Sequence, residues 1–312
     1  MASERGTVAP GDAGTRLDTW LATHTSVGSR GRAKKALASG KVRVDDRPVG
    51  TEQAGIALEA GAIVEIQWAR PGTAAAPTAA RQRLTRAGVR LLFVDDAMVV
   101  ADKPAGLLTD TATRAQQRNR ECLRAQLRTE LGFPVWPVHR IDRDTTGVVA
   151  FARSESLYEA LRAQWAAQTP ERTYLAVVEG LVEGEAGRWA DWMAWDARKH
   201  VQRASREGAP HAVLAQADWR VLGRGRHLTA LEVRLVTGRR NQIRVHAMLR
   251  GHPLVGEVQY RDAPAKRARL PRQALHARRL ALDHPVTGER LSFEAPVPDD
   301  LRQLLRGVTD AL

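Results

Sequence analysis

The chain has 312 residues, 43% of them hydrophobic, one cysteine, and a formal net charge of +13 from 48 Lys and Arg against 35 Asp and Glu. That length predicts about two domains and a large core. A single cysteine excludes an internal disulfide or a cysteine-built zinc site, and no apolar run approaches the roughly 18 residues of a membrane span.

The basic balance favours a polyanionic partner, nucleic acid first, although an Arg- and Ala-rich composition bias would produce the same charge. Met1 to Thr15 lacks the apolar core of a signal peptide, so the expected compartment is the cytoplasm.

In chain order, Leu17, Trp20 and Leu21 fall at i, i+3 and i+4, one face of a short helix. Ser29 is placed to cap a second helix, with Ala33, Ala36 and Leu37 on its apolar face and Gly40 as its stop. Arg30, Arg32, Lys34 and Lys35 crowd onto that helix, and most such charge runs are solvated faces. Lys41 to Val44 alternates like a strand, Asp45-Asp46 makes a turn, and a strand from Ile63 to Trp68 closes the unit. Residues 69 to 82 lack periodicity and hold two prolines, a linker signal. The expected division is a small domain at 12–70, a linker at 71–83 and a larger domain at 84–312.

The larger domain opens with a hairpin pattern, Val89 to Val94, Asp95-Asp96, then Ala97 to Ala101, followed by a turn at Asp102-Lys103-Pro104-Ala105-Gly106. A helix is expected over Arg118 to Leu131. Val138-His139-Arg140-Ile141-Asp142-Arg143-Asp144-Thr145-Thr146-Gly147 is a charged loop that runs straight into the apolar strand Val148 to Ala152. Loops pinned by a strand are where catalytic side chains usually sit. Arg140 and Arg143 flank Asp142 and favour its ionised form; a structural ion-pair loop is the plainer reading.

A helix follows over Glu155 to Gln168, then Thr173 to Val178, apolar on both faces like a central strand and entered through Tyr174. Residues 196 to 212, with Arg198, Lys199 and Arg203, read as a basic loop able to meet an RNA backbone. Two strands, Ala215 to Val221 and Leu228 to Val236, lead to Gly238, and a helix runs from about Asn241 to Gly251.

Several of these stretches resemble known motifs. Arg16-Leu17-Asp18, Ser29-Arg30-Gly31-Arg32 and Gly40-Lys41-Val42-Arg43-Val44 resemble the small RNA-binding domain named after ribosomal small-subunit protein four. The likeness implies RNA contacts for Arg30, Arg32, Lys34 and Lys35. His139-Arg140-Ile141-Asp142-x-x-Thr145-x-Gly147 resembles the His-Arg-Leu-Asp-x-x-Thr-Ser-Gly signature of RluA-type pseudouridine synthases. Lys103-Pro104-Ala105-Gly106, Arg172 to Gly180, Gly238 to Arg244, and the tail at Leu275-His276-Ala277 and Leu282 to Gly288 are similar to further motifs of that family, which usually has Lys at the place of Arg172.

The resemblance implies an α+β fold, with a mixed, mainly antiparallel central sheet and flanking helices, preceded by a small α/β RNA-binding domain. It implies that Asp142 is catalytic and that Arg140, Tyr174, Ile243 and Arg244 bind substrate. Arg244 would pair with Asp142, and Tyr174 would stack on the uracil and help move the proton from its ring carbon. The partner would be RNA, ribosomal ahead of transfer RNA, with no cofactor, no metal, no membrane and a monomeric enzyme.

The chain departs from the family pattern at Arg240 and Asn241, where Thr and His are usual, and at Glu257, where Gly-Asp is usual. These departures are expected to touch loop packing more than Gln242 and Arg244, and to bear on the fine geometry and RNA specificity rather than on the reaction.

No His-Glu-x-x-His, phosphate-binding loop, dinucleotide fingerprint or nucleophile elbow competes with this reading. The rivals are a non-catalytic RNA-binding ribosome-assembly factor on the same fold and a DNA-binding regulator. The first gives no reason for Asp142, Tyr174 and Arg244 to stand together in motif order, and the second lacks a recognition helix.

Overall fold

A computed structural model describes residues 4–38, 41–66, 89–111, 122–261 and 270–309. The expected linker at 71–83 and the helix stop at Gly40 lie outside the described residues.

The first part of the chain builds a four-stranded antiparallel sheet in the order β1 (Glu4–Thr7), β4 (Ile63–Ile66), β2 (Val42–Val44), β3 (Arg47–Pro48). Helices α1 (Leu17–His24) and α2 (Arg30–Ala38) turn Leu17, Trp20, Leu21, Ala33 and Leu37 into one core with Val42, Val64 and Ile66. The Ser29 hydroxyl accepts the Arg32 N–H at 3.3 Å, the expected cap. Asp45 and Asp46 both take positive φ, which a tight turn between β2 and β3 requires. Strand β1 was not anticipated: Glu4–Thr7 is half exposed and carries no apolar pattern, and it pairs because β4 offers it an open edge. The sheet therefore extends N-terminal to the expected span of 12–70.

The remainder forms an eleven-stranded mixed sheet with helices packed against it. Its path runs β11 (Val201–Ala204), β10 (Ala186–Asp196), β12 (Val213–Arg224), β13 (Leu228–Leu235), β9 (Glu171–Glu179), β14 (Leu275–Asp283), β8 (Thr146–Ala152), β6 (Met98–Lys103), β5 (Arg90–Val94). Strand β15 (Arg290–Glu294) pairs with β14, and β7 (Trp136–Pro137) with β8. Among the described pairs within this sheet, only β14 and β8 run parallel.

The two-residue period of a strand sends alternate side chains to opposite faces. Val149, Phe151, Tyr174, Ala176 and Val178 face one core with Leu123 and Leu127 of α3 (Leu123–Leu131). Val148, Ala150 and Ala152 face another with Leu161 of α4 (Glu155–Ala166). Leu175 and Val177 meet Leu301 and Leu305 of α6 (Asp299–Leu305). Every residue of β8 is buried, as its unbroken apolar run requires.

The basic stretch 196 to 212 is not wholly a loop, because Val201–Ala204 pairs with β10 as an edge strand. None of the described helices is long and apolar enough to cross a membrane.

Where β14 meets β8, Gly147 stands opposite Ala277 with φ +116°, and a Cβ there would overlap the Ala277 carbonyl. Glycine is thus demanded at the end of the Asp142 loop by the closeness of two backbones. This junction sets the loop at the start of β8, beside β14 and away from either end of the sheet's path.

Candidate active site

The loop carrying Asp142 is tied down from several sides. Thr109 Oγ1 bonds both the carbonyl and the N–H of Ile141, at 3.1 and 3.3 Å. The fully buried Lys103 donates its Nζ to the carbonyls of Pro104, Leu107 and Arg143, at 2.8, 2.7 and 2.7 Å. Burial pulls Lys103 down to about 7, while three carbonyl acceptors match the three donors of an ammonium. The Lys-Pro-x-Gly turn is therefore more than a bend: it clasps the Asp142 loop.

His139 accepts the Ala150 N–H on Nε2 at 3.1 Å and stacks on Trp165 with ring centroids 5.0 Å apart. Burial, then the charge of Arg172, pushes it down to about 3, so His139 is a neutral structural ring.

Two donors converge on one oxygen of Asp142. Asn241 Nδ2 lies 2.7 Å from Oδ2, and Arg244 Nη1 lies 3.2 Å from the same atom. The other oxygen, Oδ1, accepts no hydrogen bond among the described residues. Asn241 begins α5 (Gln242–Leu249) with φ 52°, a left-handed conformation that Asn tolerates better than most side chains. The turn before it is fixed by Gln242, whose Oε1 accepts from Thr237 Oγ1 and the Arg239 N–H at 2.8 and 2.9 Å.

Arg244 has a second and tighter partner. Its Nε and Nη2 reach the two oxygens of Glu257 at 2.7 and 2.8 Å, and its guanidinium lies 4.8 Å from the Tyr260 ring centroid. Burial alone would lower the pKa of Arg244, but Glu257 and Asp142 hold it above its ordinary value. Burial pushes Glu257 up, and Arg244 with two backbone N–H groups outweighs it, leaving the carboxyl below the usual range. Tyr260 completes the frame: its hydroxyl donates to Asn241 Oδ1 at 3.1 Å and accepts the Gln202 N–H at 2.9 Å. A backbone group in the 196–212 stretch is thereby linked to the carboxylate of Asp142.

These contacts give the departures a larger part in the site's geometry than loop packing. Asn241 and Glu257 do not merely pack loops; one touches Asp142 and the other clamps Arg244. Both were visible as unusual residues, but their roles depend on side chains 99 and 13 positions away. Tyr260 carried no comparable signal.

Asp142, Arg140, Tyr174, Ile243 and Arg244 all line one cavity of about 860 Å³. Tyr174 is buried, and burial pushes its hydroxyl up to about 12. Ile243 is 3% exposed and packs in the same core cluster, whereas Arg140 is exposed. The other basic residues are elsewhere. Arg30 donates to the buried Asp18 at 3.1 Å, Arg32 and Lys34 are exposed, and the Lys35 side chain lies outside the described residues. Arg198, Lys199 and Arg203 are exposed around Asp196, whose carboxylate accepts the backbone N–H of Arg198 and Lys199 at 3.0 Å each and faces Arg203 at 3.3 Å. None of these lines the cavity. Among the described residues, no group of three His, Cys, Asp or Glu side chains could hold a metal ion.

The sequence model of the RNA pseudouridylate synthase family matches residues 97–248, from the hairpin to α5. The chain is 33% identical to the ribosomal large subunit pseudouridine synthase D of Pseudomonas aeruginosa, over 94% of this chain and 91% of that one. It is 32% identical to an uncharacterised RNA pseudouridine synthase of Synechocystis sp., over 96% and 90%. With the ribosomal large subunit pseudouridine synthase C of Escherichia coli O157:H7 it shares 30% identity over 96% and 95%. The solved structure of the human RNA pseudouridylate synthase domain containing 4 superposes with a TM-score of 0.56 at 22% identity, covering 69% of this chain and 91% of that one, which shows a common fold. Relatives of this similarity along nearly the whole length settle the family: the chain belongs to the RluA family of RNA pseudouridine synthases, isomerases that act on RNA.

Proposed function

We propose that the enzyme converts a uridine of large-subunit ribosomal RNA to pseudouridine with Asp142 as its nucleophile. The observation that carries this reading is the convergence of Asn241 and Arg244 on one oxygen of Asp142, in the wall of the cavity that Tyr174 also lines. Two donors on Oδ2 stabilise the negative charge and fix its direction, leaving Oδ1 to attack. A purely RNA-binding protein has no need of a carboxylate held in this way.

The isomerisation moves the ribose from a ring nitrogen to a ring carbon of the same base, so it consumes no second substrate. The target nucleotide must leave its stack to reach Asp142, and Arg140, exposed at the cavity, is placed to hold the extruded state. Tyr174 offers its ring to the uracil, and burial pushes its hydroxyl up to about 12, so the phenol is protonated at neutral pH.

Exposed Arg32 and Lys34, with Arg198, Lys199 and Arg203, suit phosphate contacts, which position an RNA without reading its bases. The first sheet and its two helices form a separate RNA-binding domain in this reading. Ribosomal RNA is chosen over transfer RNA because two of the relatives are named for the ribosomal large subunit. That substrate places the enzyme in the cytoplasm.

The test is pseudouridine mapping of ribosomal and transfer RNA incubated with the wild type and with Asp142→Asn. The variant keeps the size of the side chain and removes the attacking charge, so we expect no pseudouridine and RNA affinity within a few-fold of wild type. Activity near wild type would remove Asp142 as the nucleophile; modification confined to transfer RNA would reassign the substrate.

A further inference from the structure

Arg172 lies near the start of β9, and strand alternation puts Arg172, Tyr174 and Ala176 on one face. Arg172 lines the same cavity as Asp142, Tyr174 and Arg244. Half-buried, it is bonded differently from the buried Arg244 and Arg272. Arg244 has Glu257 and Asp142, and Arg272 has Asp300 at 2.8 Å. Arg172 Nε is buried without an acceptor, and no carboxylate among the described residues pairs with its guanidinium.

Its neighbours do not supply the missing anion. Tyr174 keeps its proton at neutral pH, and His139 is neutral with its Nε2 already taken by the Ala150 N–H. The head group lies against Gly238, where a Cβ would overlap Nη1. Trp165 Nε1, a donor on another residue of the same cavity, is likewise buried and unsatisfied. Buried polar groups nearly always find partners, so two unsatisfied donors in one cavity call for an acceptor that arrives from outside.

We infer that Arg172 is a further catalytic residue, whose guanidinium takes a carbonyl oxygen of the detached uracil. This rests on the uridine isomerisation proposed above. In that reaction the C1′–N1 bond breaks and its electron pair stays on the base, spread over the ring nitrogen and the carbonyl oxygens. The pair is used when C5 bonds to C1′ and displaces the carboxylate of Asp142. The ring then loses its C5 proton and takes one up at N1, so no proton is gained or lost overall. The anionic base thus exists only between the two bond changes. A fixed cation aimed at it stabilises that interval more than it stabilises neutral uridine, which is the condition for catalysis. A phosphate is a poorer candidate ligand. It stays on the RNA strand, where the exposed Arg140, Arg143, Arg239 and Arg240 of the cavity rim meet it before the buried Nε of Arg172 does.

The test uses full-length wild type, Asp142→Asn, Arg172→Met and Arg172→Lys in single-turnover reactions with the RNA that the wild type modifies. At saturating RNA, Arg172→Met is expected to slow chemistry by about 10²–10³-fold, the usual effect of removing one donor from a developing anion. Its RNA affinity stays within a few-fold of wild type, and its melting temperature is unchanged or higher, because the cation it loses is unpaired in the free enzyme. Arg172→Lys recovers part of the rate.

Consumption of 5-fluorouridine at the target site gives a second readout. The fluorine stabilises the departing anion, so the deficit of Arg172→Met shrinks with that substrate. Weaker affinity and a shallower salt dependence at an unchanged chemical rate would show a phosphate contact instead. An equal deficit with both substrates would also overturn the inference, as would a parallel loss of stability. An inert wild type, or an active Asp142→Asn, would refute the function reading itself and with it the role of Arg172, a result distinct from failure of Arg172 alone.

Discussion

Replacing Glu257 by Gln tests whether the site depends on the clamp behind Arg244. Oε2 of Glu257 accepts Arg244 Nε at 2.7 Å. Oε1 accepts Nη2 at 2.8 Å and the N–H groups of Val258, Gln259 and Tyr260 at 3.0, 2.8 and 3.1 Å. A Gln amide must turn its NH₂ toward one of these two sets, so a donor meets donors whichever way it lies. The side chains of Arg244 and Glu257 are 9% and 0% exposed, so water does not screen the loss. Breaking a buried ion pair on one side costs about 3–5 kcal/mol. Asp142, still 3.2 Å from Nη1, keeps a share of the charge compensation, which favours the lower end. The expected result is a fall in melting temperature on the order of 10 °C.

With its second anchor gone, Arg244 loses its aim at Asp142. A displacement near 1 Å in such a constellation costs about 100-fold in rate. Calorimetry and single-turnover pseudouridine formation measure the two effects, and Glu257→Asp, which keeps the charge, should retain most of both. A Glu257→Gln enzyme that melts and turns over with the wild type would refute the clamp.

Three further outcomes are expected. Burial lowers His139 to about 3 and His276 to about 4, below an unfolded value near 6.5, so their contribution to stability is complete above about pH 6.5 and is lost as the pH falls. Burial raises Asp102 to about 6, which acts in the opposite sense from pH 6 downward; at about 1.4 kcal/mol per pH unit the two histidines outweigh the one aspartate, and melting temperature should drop between pH 6.5 and 4.5 rather than stay flat. Gly147→Ala should abolish soluble folded enzyme or lower its melting temperature severely, since both φ +116° and the Ala277 carbonyl forbid a Cβ; a stable variant with a native circular dichroism spectrum would contradict the close crossing of β8 and β14. Deleting residues 1–75 should weaken RNA binding and flatten its salt dependence while sparing the maximal rate; a normal affinity with a lost rate would show that the first unit helps build the catalytic site.

The elements whose signals are local were legible in the amino-acid order. Helices α1 and α2 announce themselves by apolar spacing and a Ser29 cap, the β5–β6 hairpin by its two apolar runs, and β9 by being apolar on both faces. The Asp142 loop, Tyr174 and Arg244 were recognisable because each lies in a short contiguous motif, and the fold brings all three to one cavity.

What the chain order left open depends on partners far away in sequence. Strand β10, with Gly187 and three tryptophans, lacks strict alternation, and it becomes a strand through its ladders with β11 and β12. Strand β1 exists because β4 has an open edge. Asn241 looked like a loop substitution until the sheet order set it 2.7 Å from Asp142, 99 residues earlier. Glu257 likewise acquired its role when the turn after α5 folded back under Arg244. Periodicity reports which face of an element is buried, but the order of strands decides which buried side chains meet. The hydrogen-bonded frame of Asp142, Asn241, Arg244 and Glu257 is a property of that order, because its members come from a loop, a helix start, a helix and a following turn that only the sheet brings together.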